Sequence, residues 1–230
     1  MKKWLLLIFA CAQLHAQGVS VEAYYDTLQK PKYQEFHFLQ EKTPRGASVK
    51  VALLKAVGSL SDPVLLFQKA REMAQPLGAN SFRIESFTRY EDQSCELSLM
   101  AYFSTDSILG VNFENTPKNR IYVLGSADIE NGKPQEFIAN GKKRMLAPGQ
   151  FTALNLKPGQ KAAIECNGAT LEIPYEPSLG IKFYGLFPIK VQDHTWEVLG
   201  DDAPPPPKIG LFPVDPDLAQ AILKIYTAAP

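Results

Sequence analysis

Histidine and cysteine are both scarce, three of each in 230 residues. His15, His37 and His194 never fall into a His-x-His or His-x-x-x-His spacing, so no zinc site is written locally. No Gly-x-Ser-x-Gly elbow and no phosphate-cradling Gly-x-x-x-x-Gly-Lys is present, and Cys95 and Cys166 are remote in sequence from His37 and His194. A surplus of charge is also missing. Lys and Arg together number 24, as do Asp and Glu, for a formal net charge of zero, without the clustered cations that bind nucleic acid. No apolar run reaches the ~20 residues that a helix needs to span a bilayer.

The one concentrated apolar stretch opens the chain, as MKKWLLLIFACAQLHAQ. Lys2 and Lys3 supply a positive start, Trp4 to Ala12 an apolar centre, and Leu14-His15-Ala16 a small-residue exit. Residues 1–16 therefore read as a secretory leader. An exported protein, periplasmic or outside the cell, is the expectation. Lipid attachment at Cys11 fits less well, because bulky Phe9 stands in the triplet before it. Cys95 and Cys166 remain after the leader, and they read either as a disulfide or as two separate buried thiols.

Residues 17–115 predict an α+β unit of strand, helix, strand, strand. The run 48–57 carries Val49, Val51, Leu53 and Val57 on one expected face and Lys50 and Leu54 on the other. Asp62-Pro63 supplies an N-cap acceptor and a proline for the first helical position. Leu66, Ala70, Met73 and Leu77 then recur at helical spacing, and Gly78 suits the left-handed residue that ends a helix. Strands follow from Ser81 to Tyr90 and over 95–103, where Leu97, Leu99, Ala101 and Phe103 alternate with Glu96, Ser98, Met100 and Tyr102. Residues 32–40 predict an added edge strand. The run KAREMAQPLGANSFRIESF (69–87), with Gly78-Ala79-Asn80 at its corner, resembles small bacterial envelope domains of the Rcs stress-sensor type.

Residues 120–200 alternate short strand-forming runs with turn residues and predict an all-β antiparallel sandwich. QEFIA and KKRML flank Asn140-Gly141, and QKAAIEC and ATLEI flank Asn167-Gly168, two primed-turn hairpins. Pro148-Gly149 and Pro158-Gly159 mark tight corners. Over about 120–175 the order of strands, Asn-Gly and Pro-Gly turns resembles the PEGA-like small sandwich modules of bacterial surface proteins. That resemblance implies a non-catalytic spacer or adhesion role.

Residues 201–230 predict an extended arm at Pro204 to Pro207 and a short helix after Asp215-Pro216. Leu218, Ile222, Ile225 and Tyr226 form its apolar stripe, for docking on this body or on another chain. Aromatic density is the main sign of binding. Tyr24, Tyr25, Tyr33, Phe36 and Phe38 crowd one end, and Phe183, Tyr184, Phe187 and Trp196 the other. Phe183, Tyr184 and Trp196 are the candidate binding residues, for a protein or a glycan. Glu91-Asp92 and Asp201-Asp202 read as solvated loops before calcium ligands, and Asp193-His194 as a turn before a catalytic pair. The expectation is an exported, non-catalytic envelope protein without cofactor or metal. The alternatives are a periplasmic sensor that uses the proline arm and last helix, and a hydrolase without a sequence-visible motif.

Overall fold

Two Asp-Pro pairs start two of the three helices in the computed structural model, which describes residues 18–25, 35–189 and 210–230. The Asp62 carboxylate accepts the Leu65 N–H at 3.0 Å, and the Asp215 carboxylate accepts the Leu218 N–H at 2.9 Å. Each proline stands where a backbone N–H would have had no helical partner. The chain runs β1 (Gly18–Tyr24), β2 (His37–Phe38), β3 (Val49–Ser59), α1 (Pro63–Ala74), β4 (Ser81–Arg89), β5 (Ser94–Phe103) and α2 (Asp106–Glu114). It continues with β6 (Arg120–Leu124), β7 (Gln135–Ala139), β8 (Lys142–Leu146), β9 (Gln150–Asn155), β10 (Lys161–Cys166), β11 (Ala169–Pro174) and β12 (Lys182–Gly185). β13 (Phe212–Pro213), α3 (Pro216–Ile225) and β14 (Thr227–Ala228) complete it. The architecture is α+β. No helix among the described residues is long and apolar enough to cross a membrane.

The first sheet has the order β1-β3-β5-β4-β2, so β5 lies between the two strands that α1 connects. Its alternation obeys sequence over β5, where Leu97, Leu99 and Ala101 face the main core and Met100 and Tyr102 the opposite cluster. In β3 the expected face is wrong. A register shift between Lys50 and Ala52 turns the strand over, burying Leu54 and Ala56 in the main core and sending Leu53 to the outer face, while Val49 is exposed. One extra residue reverses every following side chain.

The second half departs from an all-antiparallel arrangement. A four-stranded sheet, β11-β10-β7-β8, is antiparallel throughout. A five-stranded sheet, β13-β12-β6-β9-β14, pairs β12 with β6 and β14 with β9 in parallel. Strands β7 to β11 lie between β6 and β12 in the chain, and α3 lies between β13 and β14, so the parallel pairs are not joined by hairpins. The turns themselves are as expected. Asn140 and Gly141 have φ of 51° and 74°, and Asn167 and Gly168 have 51° and 80°, the left-handed pair of a primed two-residue hairpin.

The five-stranded sheet buries both faces. Ile121, Val123 and Leu154 meet Phe137, Leu146 and Ile164 of the four-stranded sheet in one core. Tyr122, Leu124 and Phe183 point the other way and join Leu54, Leu97, Phe82 and the stripe of α3 in the main core. That core therefore crosses residue 120 and contains the C-terminal helix. Leu218, Ile222, Ile225 and Tyr226 are all buried in it, so the stripe offers no free face to another chain. Cys95 lies in the main core and Cys166 in the other, both as free thiols, so the disulfide alternative is not the one adopted. Burial pushes the Cys95 thiol up to about 11 and raises Cys166 too, the opposite of a reactive thiolate.

Candidate functional site

The aromatic residues singled out from sequence do not form an exposed platform. Phe183 is buried and stacked on Tyr122, with ring centroids 5.2 Å apart. Tyr184 is half-buried against the other core, and its phenol is raised above its ordinary value by that burial. Phe36 and Phe38 pack on Phe82 at 4.7 and 5.6 Å. Tyr24 and Tyr25 are exposed at the end of β1, at the far edge of the first sheet. Trp196, Tyr33, His194, Asp201-Asp202 and the proline arm lie outside the described residues. Asp92 accepts the Ser94 N–H at 3.1 Å and closes its turn.

The structured recess lies instead where β2, α2, α3 and the start of β6 meet. Strand β2 is the edge of the first sheet, and its outward backbone groups are filled by side chains. The Phe38 N–H donates to Asp217 Oδ1 at 2.8 Å, and the Phe38 carbonyl accepts from Asn112 Nδ2 at 2.9 Å. The Gln40 N–H donates to Asn112 Oδ1 at 2.7 Å, and the Gln40 carbonyl accepts from Arg83 Nη2 at 2.9 Å. Such an edge cannot take an added strand without first losing these bonds.

Asn112 is the only buried residue of α2. Its Oδ1 also accepts the Thr43 hydroxyl at 2.8 Å. Turning this polar group inward turns the apolar residues outward: Val111 and Phe113 are 45% and 67% exposed. Phe113 overhangs a hollow of about 250 Å³ lined also by Leu109, Ile181 and Pro216. His37 and Asp217 stand at its side. His37 Nδ1 lies 3.1 Å from Asp217 Oδ2 and Nε2 lies 2.9 Å from Glu35 Oε2. The Asp217 hydrogen bond, aided by both carboxylate charges, overrides partial burial and raises the imidazole from 6.5 to about 9. With both nitrogens committed to carboxylates, His37 is an imidazolium at neutral pH and has no lone pair to serve as a base.

The protonated form is therefore the one that folding favours. Its contribution is complete below about pH 6.5, the unfolded value, and disappears as pH rises through about 9. We expect urea-unfolding stability to fall by on the order of 1–2 kcal/mol across that window, after solvent screening of a half-exposed pair. In His37→Gln the same titration should lose that component, and an unchanged slope would show that the pair contributes nothing.

A comparison with protein families, with curated proteins and with solved structures finds no match. The chemistry of the recess has to be read from its own side chains.

Adjoining the apolar hollow is a wider cleft of about 670 Å³, and the two share Phe38, Thr116, Ile181 and Gln220. Lys42, Lys118, Arg120 and Lys224 border it, against Glu41 and Glu114. Lys224 is paired with Glu41 at 2.5 Å and Lys118 with Glu114 at 3.6 Å. Arg120 is different. Its Nε donates to Asn155 Oδ1 at 2.7 Å and its Nη1 to the Tyr122 hydroxyl at 3.2 Å, while the guanidinium lies 6.0 Å from the Tyr122 ring centroid. Cross-strand pairing of β6 with β9 sets Asn155 opposite Arg120, and Tyr122 is two residues along on the same face. Two neutral side chains thus fix a half-buried cation that has no carboxylate partner among the described residues. A positioned guanidinium of this kind is an anion receptor. Nothing in the local sequence KNRIYV distinguishes Arg120 from a solvated strand end; Asn155 is remote in sequence and supplies the distinction.

Proposed function

We propose that this is an exported, non-catalytic envelope protein that binds an anionic partner, protein or glycan, in the cleft bordered by Arg120. The observation that carries this reading is a guanidinium oriented by Asn155 and Tyr122 and left without a countercharge among the described residues. The leader-like residues 1–16 support export, and the resemblance of residues 120–175 to PEGA-like modules supports a β-sandwich made of the two smaller-core sheets. His37, held protonated by its two carboxylates, supports a binding site over a hydrolytic one.

Binding is tested by calorimetry of the purified protein against polyglutamate and polygalacturonate. We expect at least one to bind, with affinity falling as salt rises and falling about tenfold or more in Arg120→Gln. No binding of either, or binding indifferent to Arg120, would reject the site. The intact mass of the exported protein tests the compartment: loss of residues 1–16 supports secretion, added lipid on Cys11 supports the lipoprotein form, and an unprocessed chain rejects both.

A further inference from the structure

The apolar hollow beside the cationic cleft restricts what the anionic partner can be. Its carbon-lined part comes from Leu109, Phe113, Ile181 and Pro216. The polar side chains around it are already bonded. Asn112 uses its oxygen twice and its amide once, on Gln40, Thr43 and Phe38. His37 and Asp217 satisfy one another and their neighbours, Thr116 donates to the Asn112 carbonyl at 3.2 Å, and Gln220 accepts from Gln40. A sugar entering this hollow would lose water from several hydroxyls and find few partners in return. An aliphatic or aromatic side chain would lose nothing, and would cover the exposed Phe113.

Because the hollow and the cleft share one wall, a single ligand can reach both. We infer that the occupant is an acidic peptide segment with one large apolar side chain: the anchor seats under Phe113, and the neighbouring carboxylates meet Arg120, with Lys42 and Lys118 on the rim. The charges are complementary, since the cleft border carries four cations against two carboxylates, and two of those cations are already paired with them. The peptide is held by its side chains, because the backbone edge of β2 is filled by Asp217 and Asn112. This inference rests on the anion-binding reading above and adds the anchor and the polymer class.

The probe is a short fluorescein-labelled peptide with one Phe flanked by Asp and Glu, followed by anisotropy on the full chain. Replacing the peptide's Phe by Ala should weaken binding about tenfold, and replacing its acids by amides should weaken it at least as much. On the protein, Phe113→Ser should reproduce the loss of the anchor while leaving polyglutamate binding unchanged. Phe113 is exposed, so that variant folds. The exposed pair Lys42→Gln and Lys118→Gln should weaken both ligands if Arg120→Gln proves unstable. Polyglutamate binding with no sensitivity to the peptide's Phe or to Phe113 would overturn the anchor and leave the anion site standing. Preference for polygalacturonate over the peptide would overturn the polymer class. Failure of every anionic probe would remove both proposals together.

Discussion

A chain ended before Val214 will not fold. Deleting residues 214–230 removes Val214, Leu218, Ala219, Ala221, Ile222, Ile225 and Tyr226 from the main core, each of them buried. At about 1.5–3 kcal/mol for each of the five large side chains, the loss of about 7–15 kcal/mol is as large as the 5–15 kcal/mol by which most domains are stable at all. It also uncovers Phe183, Tyr122 and the inner face of α1, which share that core. Near-UV circular dichroism and urea unfolding check the outcome. A truncated protein with native spectra and an unchanged midpoint would mean that α3 is not part of this body, and would restore the alternative in which it engages another chain. Two point variants grade the effect. Ile222→Ala, at a side chain 1% exposed, should cost about 2–4 kcal/mol, while Lys224→Gln on the exposed side should stay within about 0.5 kcal/mol of the parent.

Asn112→Leu should cost about 2–4 kcal/mol, although leucine has the same branched shape and favours a helix more. The substitution strands the Phe38 carbonyl, the Gln40 N–H and the Thr43 hydroxyl, three groups that Asn112 now satisfies at 2.7–2.9 Å. Each buried group left without a partner costs about 1–3 kcal/mol, and water can reach some of them, which sets the middle of that range. Urea unfolding measures the total. Local loosening should appear as faster amide exchange at Gln40 and faster proteolysis after Phe113, since Asn112 is what ties α2 to the β2 edge. A leucine variant as stable as the parent would mean that the polar contact orients nothing. In Asn112→Asp the acceptor remains and the donor to Phe38 is lost, so its cost should be intermediate at neutral pH.

Local chemistry was legible in the sequence, and its outcomes are backbone conformations that need only near neighbours. Asp62-Pro63 and Asp215-Pro216 begin helices because a carboxylate and a missing N–H act within one turn. Asn140-Gly141 and Asn167-Gly168 make hairpins because both residues tolerate positive φ. Helix α2 was not legible. Ile108, Leu109, Val111 and Phe113 share no single stripe, Gly110 interrupts them, and the residue that directs the helix is a polar one. β1 escaped for a different reason: GVSVEAY becomes a strand by pairing with β3, and most of it is exposed. The flipped face of β3 followed from one register shift that no alternation pattern announces.

The candidate site divides in the same way. Sequence drew attention to Phe183, Tyr184 and Trp196 as aromatics, yet burial of Phe183 against Tyr122 makes it core. Arg120 and Asn155 lie far apart in the chain and meet only because β6 and β9 pair in register. His37 and Asp217 meet only because α3 crosses back to the first sheet. By itself the sequence determined the turns, the helix starts and the apolar stripe of α3, all encoded by residues within a few positions of one another. Tertiary structure alone decided the parallel strands, the shared core and the charged cleft. Those depend on which distant surfaces exclude water together, a property of the packed chain that local spacing does not contain.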